Sequence, residues 1–196
     1  GCFSVARIDL IVSATQIPSS FKLFFENCDD YIDSANDDYD GITEFDFSSS
    51  NDDILALLPF PKTNYSIKYY ETEDDAFAET NEITNTTNHR NTTSPTLQYI
   101  WVRVDNDIDN SCFGISPIIT LQVNPKPNID VNTNQIADIF VCDNLPTYYA
   151  TLDAGILDGS PTSNYTYIWS KDNQILSNQT NPTLEVNTSG LYSVEV

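Results

Sequence analysis

The chain repeats itself at a spacing close to the length of one β-sandwich domain. Gly1-Cys2-Phe3-Ser4 and Ile8-Asp9-Leu10-Ile11-Val12 return as Ser111-Cys112-Phe113-Gly114 and Ile119-Thr120-Leu121-Gln122-Val123. Cys28-Asp29-Asp30 returns as Cys142-Asp143-Asn144, and Asn64-Tyr65-Ser66 as Asn164-Tyr165-Thr166. The shortest offset, Asn64 to Asn164, is 100 positions and the longest, Cys28 to Cys142, is 114. Solenoid repeats recur every ~20–50 residues, whereas a sandwich module takes about 100. The repeat is out of phase with the ends. Residues 1–15 read as the last strand of a preceding module, and Leu191-Tyr192-Ser193-Val194-Glu195-Val196 as the next-to-last strand of another. The expectation is a slice of a longer array: one complete module at 21–124, and a second at 128–196 lacking its final strand.

Strand signals dominate. Arg7 to Val12, Phe21 to Phe25, Ile42 to Phe47, Tyr65 to Tyr70, Leu97 to Val104 and Pro117 to Val123 are short runs rich in Val, Ile, Tyr and Phe, bounded by Asp, Asn, Pro or Ser. Alternation from Tyr99 to Val104 puts Ile100, Val102 and Val104 on one face, with Tyr99, Trp101 and Arg103 on the other. Two stretches break the pattern. Ser50 to Leu58 has a capping residue, acids in its first turn and a stop at Pro59, and so predicts a short helix; Glu73 to Glu79 predicts another turn or two. Asn124-Pro125-Lys126-Pro127-Asn128 is the linker, stiffened by two prolines, and Gln16 to Ser20 is its counterpart one repeat earlier. The second module carries Tyr165-Thr166-Tyr167-Ile168-Trp169, with Trp169 where an immunoglobulin-like third strand buries one. The fold class expected is all-β: tandem immunoglobulin-like β-sandwich modules, with one or two short helical turns in the first complete module.

Charge narrows the partners. Twenty-nine acidic against eight basic residues leave a formal charge of −21, which opposes binding to nucleic acid phosphates and to anionic membrane surfaces. No apolar run approaches the ~18 residues of a spanning helix, so no membrane insertion is expected in this segment. Four cysteines without a Cys-x-x-Cys pair, among many Asn, Thr and Ser, point to an extracellular address.

Catalysis finds little to build on. The single histidine, His89, lies in Asn85-Thr86-Thr87-Asn88-His89-Arg90-Asn91-Thr92-Thr93, which reads as a polar loop with no apolar frame to hold a base. No phosphate-binding glycine loop, Gly-x-Ser-x-Gly elbow or His-Glu-x-x-His motif occurs. The expectation is a protein that is not an enzyme. One constellation resembles a metal site. Asn36-Asp37-Asp38-Tyr39-Asp40-Gly41 follows the opening of a calcium loop, in which alternate side-chain oxygens converge on a hard cation and Gly permits the sharp turn. Phe47 stands at the twelfth position and cannot ligate, so Asn36, Asp38 and Asp40 would need a further oxygen, with Asp30 chosen over Asp33, Glu44 or Asp46. Asp105-Asn106-Asp107-Ile108-Asp109 is a weaker acidic hairpin without Gly.

Several segments together resemble one known repeat. They are Phe25-Glu26-Asn27-Cys28-Asp29-Asp30, Asp40 to Phe47, Asn64 to Thr72, Trp101 to Asn106, the Cys112 turn and Val123-Asn124-Pro125. This resembles a module of very large surface proteins of Bacteroidetes, flavobacteria especially, that leave the cell by type IX secretion and often carry a gliding-motility-associated sorting domain. The second module resembles the immunoglobulin-like or PKD-like domains interspersed in them. The resemblance implies an exported, cell-surface, adhesin-like array and no catalytic residue. The chain departs from the pattern by an insertion at Tyr31 to Tyr39.

Four cysteines allow three connectivities. Cys28 with Cys112 would brace the complete module and leave Cys2 and Cys142 for modules beyond it. The rival is pairing between neighbouring modules, which clamps the array instead. Six Asn-x-Ser/Thr sequons, at Asn64, Asn85, Asn91, Asn164, Asn178 and Asn187, fit an exterior address. Asp33-Ser34-Ala35 resembles the O-glycosylation motif of Bacteroidetes, with Ser34 as acceptor. Function then divides between an extended, self-repelling stalk and direct adhesion to a glycan or surface, through calcium-organised Asp-rich loops or exposed aromatics such as Tyr31, Tyr39 and Trp101. Strand exchange between identical subunits is a third possibility. The partners expected are neighbouring immunoglobulin-like modules of the same chain, with surface glycans or identical subunits beyond them.

Overall fold

The structure, a computed structural model, describes residues 4–7, 15–108, 112–130 and 149–196. Their regular elements are mostly strands, in several sheets, with two short helices, so the chain is all-β in class. It divides into two compact units, Gly1–Lys126 and Pro127–Val196.

The first unit runs β1 (Leu23–Cys28), β2 (Glu44–Phe45), α1 (Ser50–Leu57), β3 (Tyr65–Tyr70), α2 (Glu73–Ala78), β4 (His89–Arg90), β5 (Leu97–Asn106) and β6 (Phe113–Asn124). Its main sheet has the order β1-β6-β5-β3. β5 pairs antiparallel with β3 and β6, whereas β1 lies parallel to the C-terminal half of β6, Leu23 opposite Ile119 and Cys28 opposite Asn124. A separate antiparallel ladder joins β2 to β4.

The core follows from alternation. Ile100, Val102 and Val104 of β5 and Ile119, Leu121 and Val123 of β6 are buried, as the period of two requires. Phe47, after β2, meets Tyr69 of β3 edge to face at 5.5 Å. α1 brings acids, Asp52 and Asp53, to its first turn and inserts Ile54 into the core. Its last carbonyls are covered by Lys62, whose Nζ donates to the backbone oxygens of Leu55, Ala56 and Leu58. α2 is capped by Thr72, whose Oγ1 accepts from the Asp75 N–H at 3.0 Å.

The second unit holds β7 (Ala150–Asp153), β8 (Ile168–Lys171), β9 (Gln174–Ile175), β10 (Thr183–Val186) and β11 (Tyr192–Glu195). β7 pairs with β10, and β8 lies between β11 and β9, all antiparallel. Trp169 is buried with Tyr167, Ala154 and Leu184, and its indole N–H donates to the Asn181 carbonyl at 2.8 Å.

Several expectations shift in position. The strand predicted at Pro117 to Val123 begins at Phe113, because a bulge at Ile118 of β6, opposite the Ile100–Trp101 step of β5, lets β6 carry Pro117 without losing the ladder. The run Ile42 to Phe47 contracts to two residues, and Phe21 to Phe25 moves on to Leu23–Cys28. The strand expected from Arg7 to Val12 lies, apart from Arg7, outside the described residues, as do Cys2, Cys142 and Asp109. Arg103 shares its face of β5 with Tyr99 and Trp101 but is buried, because α2 packs over that part of the sheet. Its guanidinium bonds Asp105 at 2.7 Å, Glu79 at 2.9 Å and the Ala76 carbonyl at 3.0 Å, and lies over the Phe113 ring at 4.1 Å.

Candidate functional site

The parallel pairing of β1 with β6 decides where the two described cysteines stand. Cys28 closes β1 opposite Asn124, the last residue of β6, and the next amide, Asp29 N–H, donates to the Asn124 carbonyl at 3.0 Å. Cys112 precedes Phe113, the first residue of β6, with its carbonyl accepting from Asn106 N–H at 3.3 Å. The length of β6 separates them, roughly 35 Å at the rise of an extended strand. Disulfide geometry needs Cα atoms within ~7 Å. Among the described residues neither has a disulfide partner, Cys28 being exposed and Cys112 half-buried. The pairing of Cys28 with Cys112 expected from the sequence is therefore not made. Residue count along the chain hides the fact that a parallel strand delivers its C-terminal cysteine to the far end of its partner.

The end of the unit that carries Cys28 also carries the insertion. Asp30 makes two bonds of 2.8 Å to the Arg90 guanidinium, which holds its carboxyl below the ordinary carboxylate range. Asp38 receives Lys126 Nζ at 2.9 Å and is lowered for that reason first. Asp40 Oδ1 accepts from Ile42 N–H, and Asn36 turns back on Asp33, to whose Oδ1 its side-chain amide donates at 3.3 Å. Of the four ligands expected for calcium, Asp30 and Asp38 thus already hold cationic side chains and Asn36 closes a local turn. Among the described residues no group of three or more His, Cys, Asp or Glu is gathered to hold a metal ion. Ser34 is exposed at the tip, beside an Asp33 whose carboxyl is lowered chiefly by the Ala35 N–H it accepts. Tyr31 and Tyr39 are exposed too.

His89 is better framed than its sequence context implies. It lies in β4 opposite Phe45, buried, with its ring edge-on to Phe47 at 5.7 Å. Nε2 is 2.8 Å from Gln98 Oε1, Gln98 donates to Thr93 Oγ1 at 2.9 Å, and Thr93 donates to Glu71 at 2.7 Å. This chain forms part of the wall of an open groove of about 520 Å³, lined also by Asp75, Asn81, Glu82 and Asn88. Asn91 departs from its sequon reading. It is fully buried, its Oδ1 accepting from Thr43 N–H at 2.9 Å and its Nδ2 donating to the carbonyls of Gly41 and Ser94 at 2.9 and 3.3 Å.

Residues 24–127 match the family described as the Flavobacterium inter-domain disulphide bond domain. The chain belongs to this family. The match marks a flavobacterial protein, and it opens inside β1 and ends just beyond β6, so Cys28 and Cys112 are the two cysteines that the inter-domain disulphide bond domain contains. No curated protein and no solved structure matches the chain. In the domain's terms, the residues that sequence reasoning missed are Arg90, Asn91 and Asp29, which fasten the insertion to β4 and to the β2 approach. Only the sign of Arg90 in an acidic chain pointed towards such a role.

Proposed function

We propose that this chain is a non-catalytic spacer segment of an exported, adhesin-like flavobacterial surface protein, and that the first unit is covalently fastened to the domains before and after it. The carrying observation is the placement of Cys28 and Cys112 at opposite ends of β6. A thiol at each end suits bonds to two different neighbours and suits a bond between the pair poorly. Disulfides persist outside the reducing cytosol, in keeping with an extracellular location. On this reading the antiparallel run β3-β5-β6 would be the C-F-G face and the separate β2–β4 ladder the B–E pairing of an immunoglobulin-like sandwich, and the buried Trp169 supports the same reading for the second unit. The formal charge of −21 keeps such an array soluble and self-repelling. Export by type IX secretion and a place in gliding motility belong to this proposal through the resemblance of the sequence alone.

Peptide mapping of the oxidised chain without reductant tests it. The expected peptides join Cys28 to a cysteine outside residues 24–127, for which Cys142 is available, and Cys112 to another, for which Cys2 is available. A Cys28–Cys112 peptide, or two thiols that alkylate freely in protein taken from the cell surface, overturns the proposal. The exposed Tyr31 and Tyr39 favour a second reading, direct adhesion to a glycan. Saturable binding on a glycan panel, lost in Tyr31→Ala with Tyr39→Ala, would put that reading first.

A further inference from the structure

Six acids lie between β1 and β2, and four of them, Asp29, Asp30, Asp38 and Asp40, differ in how their charge is met. Two bases serve them. Arg90 takes Asp30, and Lys126 takes Asp38. Asp29 and Asp40 are left without a basic partner in contact. Each commits one oxygen to the backbone, Asp29 Oδ2 accepting from Gly41 N–H and Asp40 Oδ1 from Ile42 N–H, both at 2.8 Å. These amides are consecutive in the chain, so the two carboxylates meet the same turn. Their remaining oxygens, Asp29 Oδ1 and Asp40 Oδ2, are buried and have no hydrogen-bond partner. Asp29 is 3% exposed, so solvent does not serve it either. Carboxylate oxygens withdrawn from water without a partner are strongly unfavourable, and a bound cation is one of the few ways to satisfy them.

We infer that Asp29 and Asp40 hold a divalent cation of the calcium class through Asp29 Oδ1 and Asp40 Oδ2. With Asp30 and Asp38 taken by Arg90 and Lys126, Asp29 and Asp40 carry two negative charges, which one divalent ion would match. Calcium is a hard cation that takes 6–8 oxygens in irregular geometry and accepts backbone carbonyls and water beside carboxylates. Gly41, at φ +77°, makes the sharp turn whose consecutive amides the two acids bind, and any Cβ there would lie 2.7 Å from Thr96 Oγ1. With only two carboxylates the site belongs to the weak class of extracellular modules, with a dissociation constant of about 10⁻⁴–10⁻³ M. It differs from the ligand set expected from sequence in two respects: Asp29 enters, and Asp30 and Asp38 serve as partners of the basic groups that border it.

Thermal melts of the whole chain at constant ionic strength, in chelator, in calcium and in magnesium, test the inference. With calcium about tenfold above its dissociation constant, the first unit's Tm should rise by about 5 °C. The rise should vanish in Asp29→Asn and in Asp40→Asn and persist in Asp53→Asn, an exposed acid of α1. A terbium titration read by tyrosine-sensitised emission, reversed by calcium, measures the site at 25 °C without melting and decides the matter if Asp29→Asn fails to fold. No rise in calcium and no sensitised emission would overturn the site. So would a rise of equal size in magnesium and in all three variants, since that is general screening of an acidic chain.

Discussion

Gly114 lies directly under the backbone of Thr15: a Cβ built on it would stand 2.3 Å from the Thr15 carbonyl oxygen. The obstacle is backbone, so no side chain can swing away to make room. Thr15 and Ile17 are buried here, which means that the segment ahead of β1 is laid across the start of β6. Gly114→Ala should therefore destabilise the first unit by about 2–3 kcal/mol, at the upper range for overpacking. A drop in the urea midpoint at unchanged slope measures it.

Arg103 supports a second prediction. It ties α2 to the sheet through Glu79 and Asp105, and Asp105 is itself partly buried. Arg103→Ala leaves that carboxylate with Lys68 alone, at 3.2 Å, and should cost about 2 kcal/mol, below the range for a buried pair stripped of its one partner. Arg103→Lys keeps the charge but loses the planar fork and the stacking on Phe113, and should recover less than half of the loss in the same urea titration.

A third concerns pH. Arg90 holds the Asp30 carboxyl below its ordinary range. A depressed folded pKa gives stability that is complete above the unfolded value, near 3.9, and is lost as pH falls through the folded value. Asp30→Asn should thus be less stable than the parent at pH 7 and approach it as pH falls past the unfolded value and through the lowered folded one. Asp30 is 37% exposed, and solvent screening keeps the difference to about 0.5 kcal/mol or less. Chemical denaturation at pH 7 and pH 3 compares the two.

Trp169 gives the fourth. Its ring is the largest buried group of the second unit, and its N–H is held by Asn181. Trp169→Ala should cost about 3–5 kcal/mol and abolish cooperative unfolding of that unit. Near-ultraviolet circular dichroism follows the loss, and the first unit should melt as before.

Much of the fold was legible in local pattern. Tyr65–Tyr70 emerges where predicted because it is set by its own residues, an aromatic run bounded by Asn and Glu. α1 keeps the acids expected in its first turn, but Ser50, read as its cap, lies inside the helix with its hydroxyl on Tyr69. Ser49 ahead of it makes no side-chain cap. The alternation that buried Ile100, Val102 and Val104 was equally plain. What escaped the sequence depends on a second element. Arg103 is buried only because α2 covers its face. Phe113 to Ser116 stay paired with β5 only because β6 bulges at Ile118, which resets the register beside Pro117. Asn91, which reads as a surface sequon, is the clamp between Gly41 and Thr43, a role invisible until strands 48 positions apart are paired. The candidate site suffered most. Its cysteines are separated by strand direction and its acids are sorted by which bases reach them, and neither is written in spacing.

The strand β6 has a mechanical consequence. Tension entering at Cys112 and leaving at Cys28 would pull β6 from its N-terminal end and β1 from its C-terminal end, sliding the two lengthwise past each other. All six residue pairs of that ladder would then resist in shear at once, instead of parting one after another from an open end. A fastener at each end of such a strand makes the domain a link that stiffens when the chain is drawn taut.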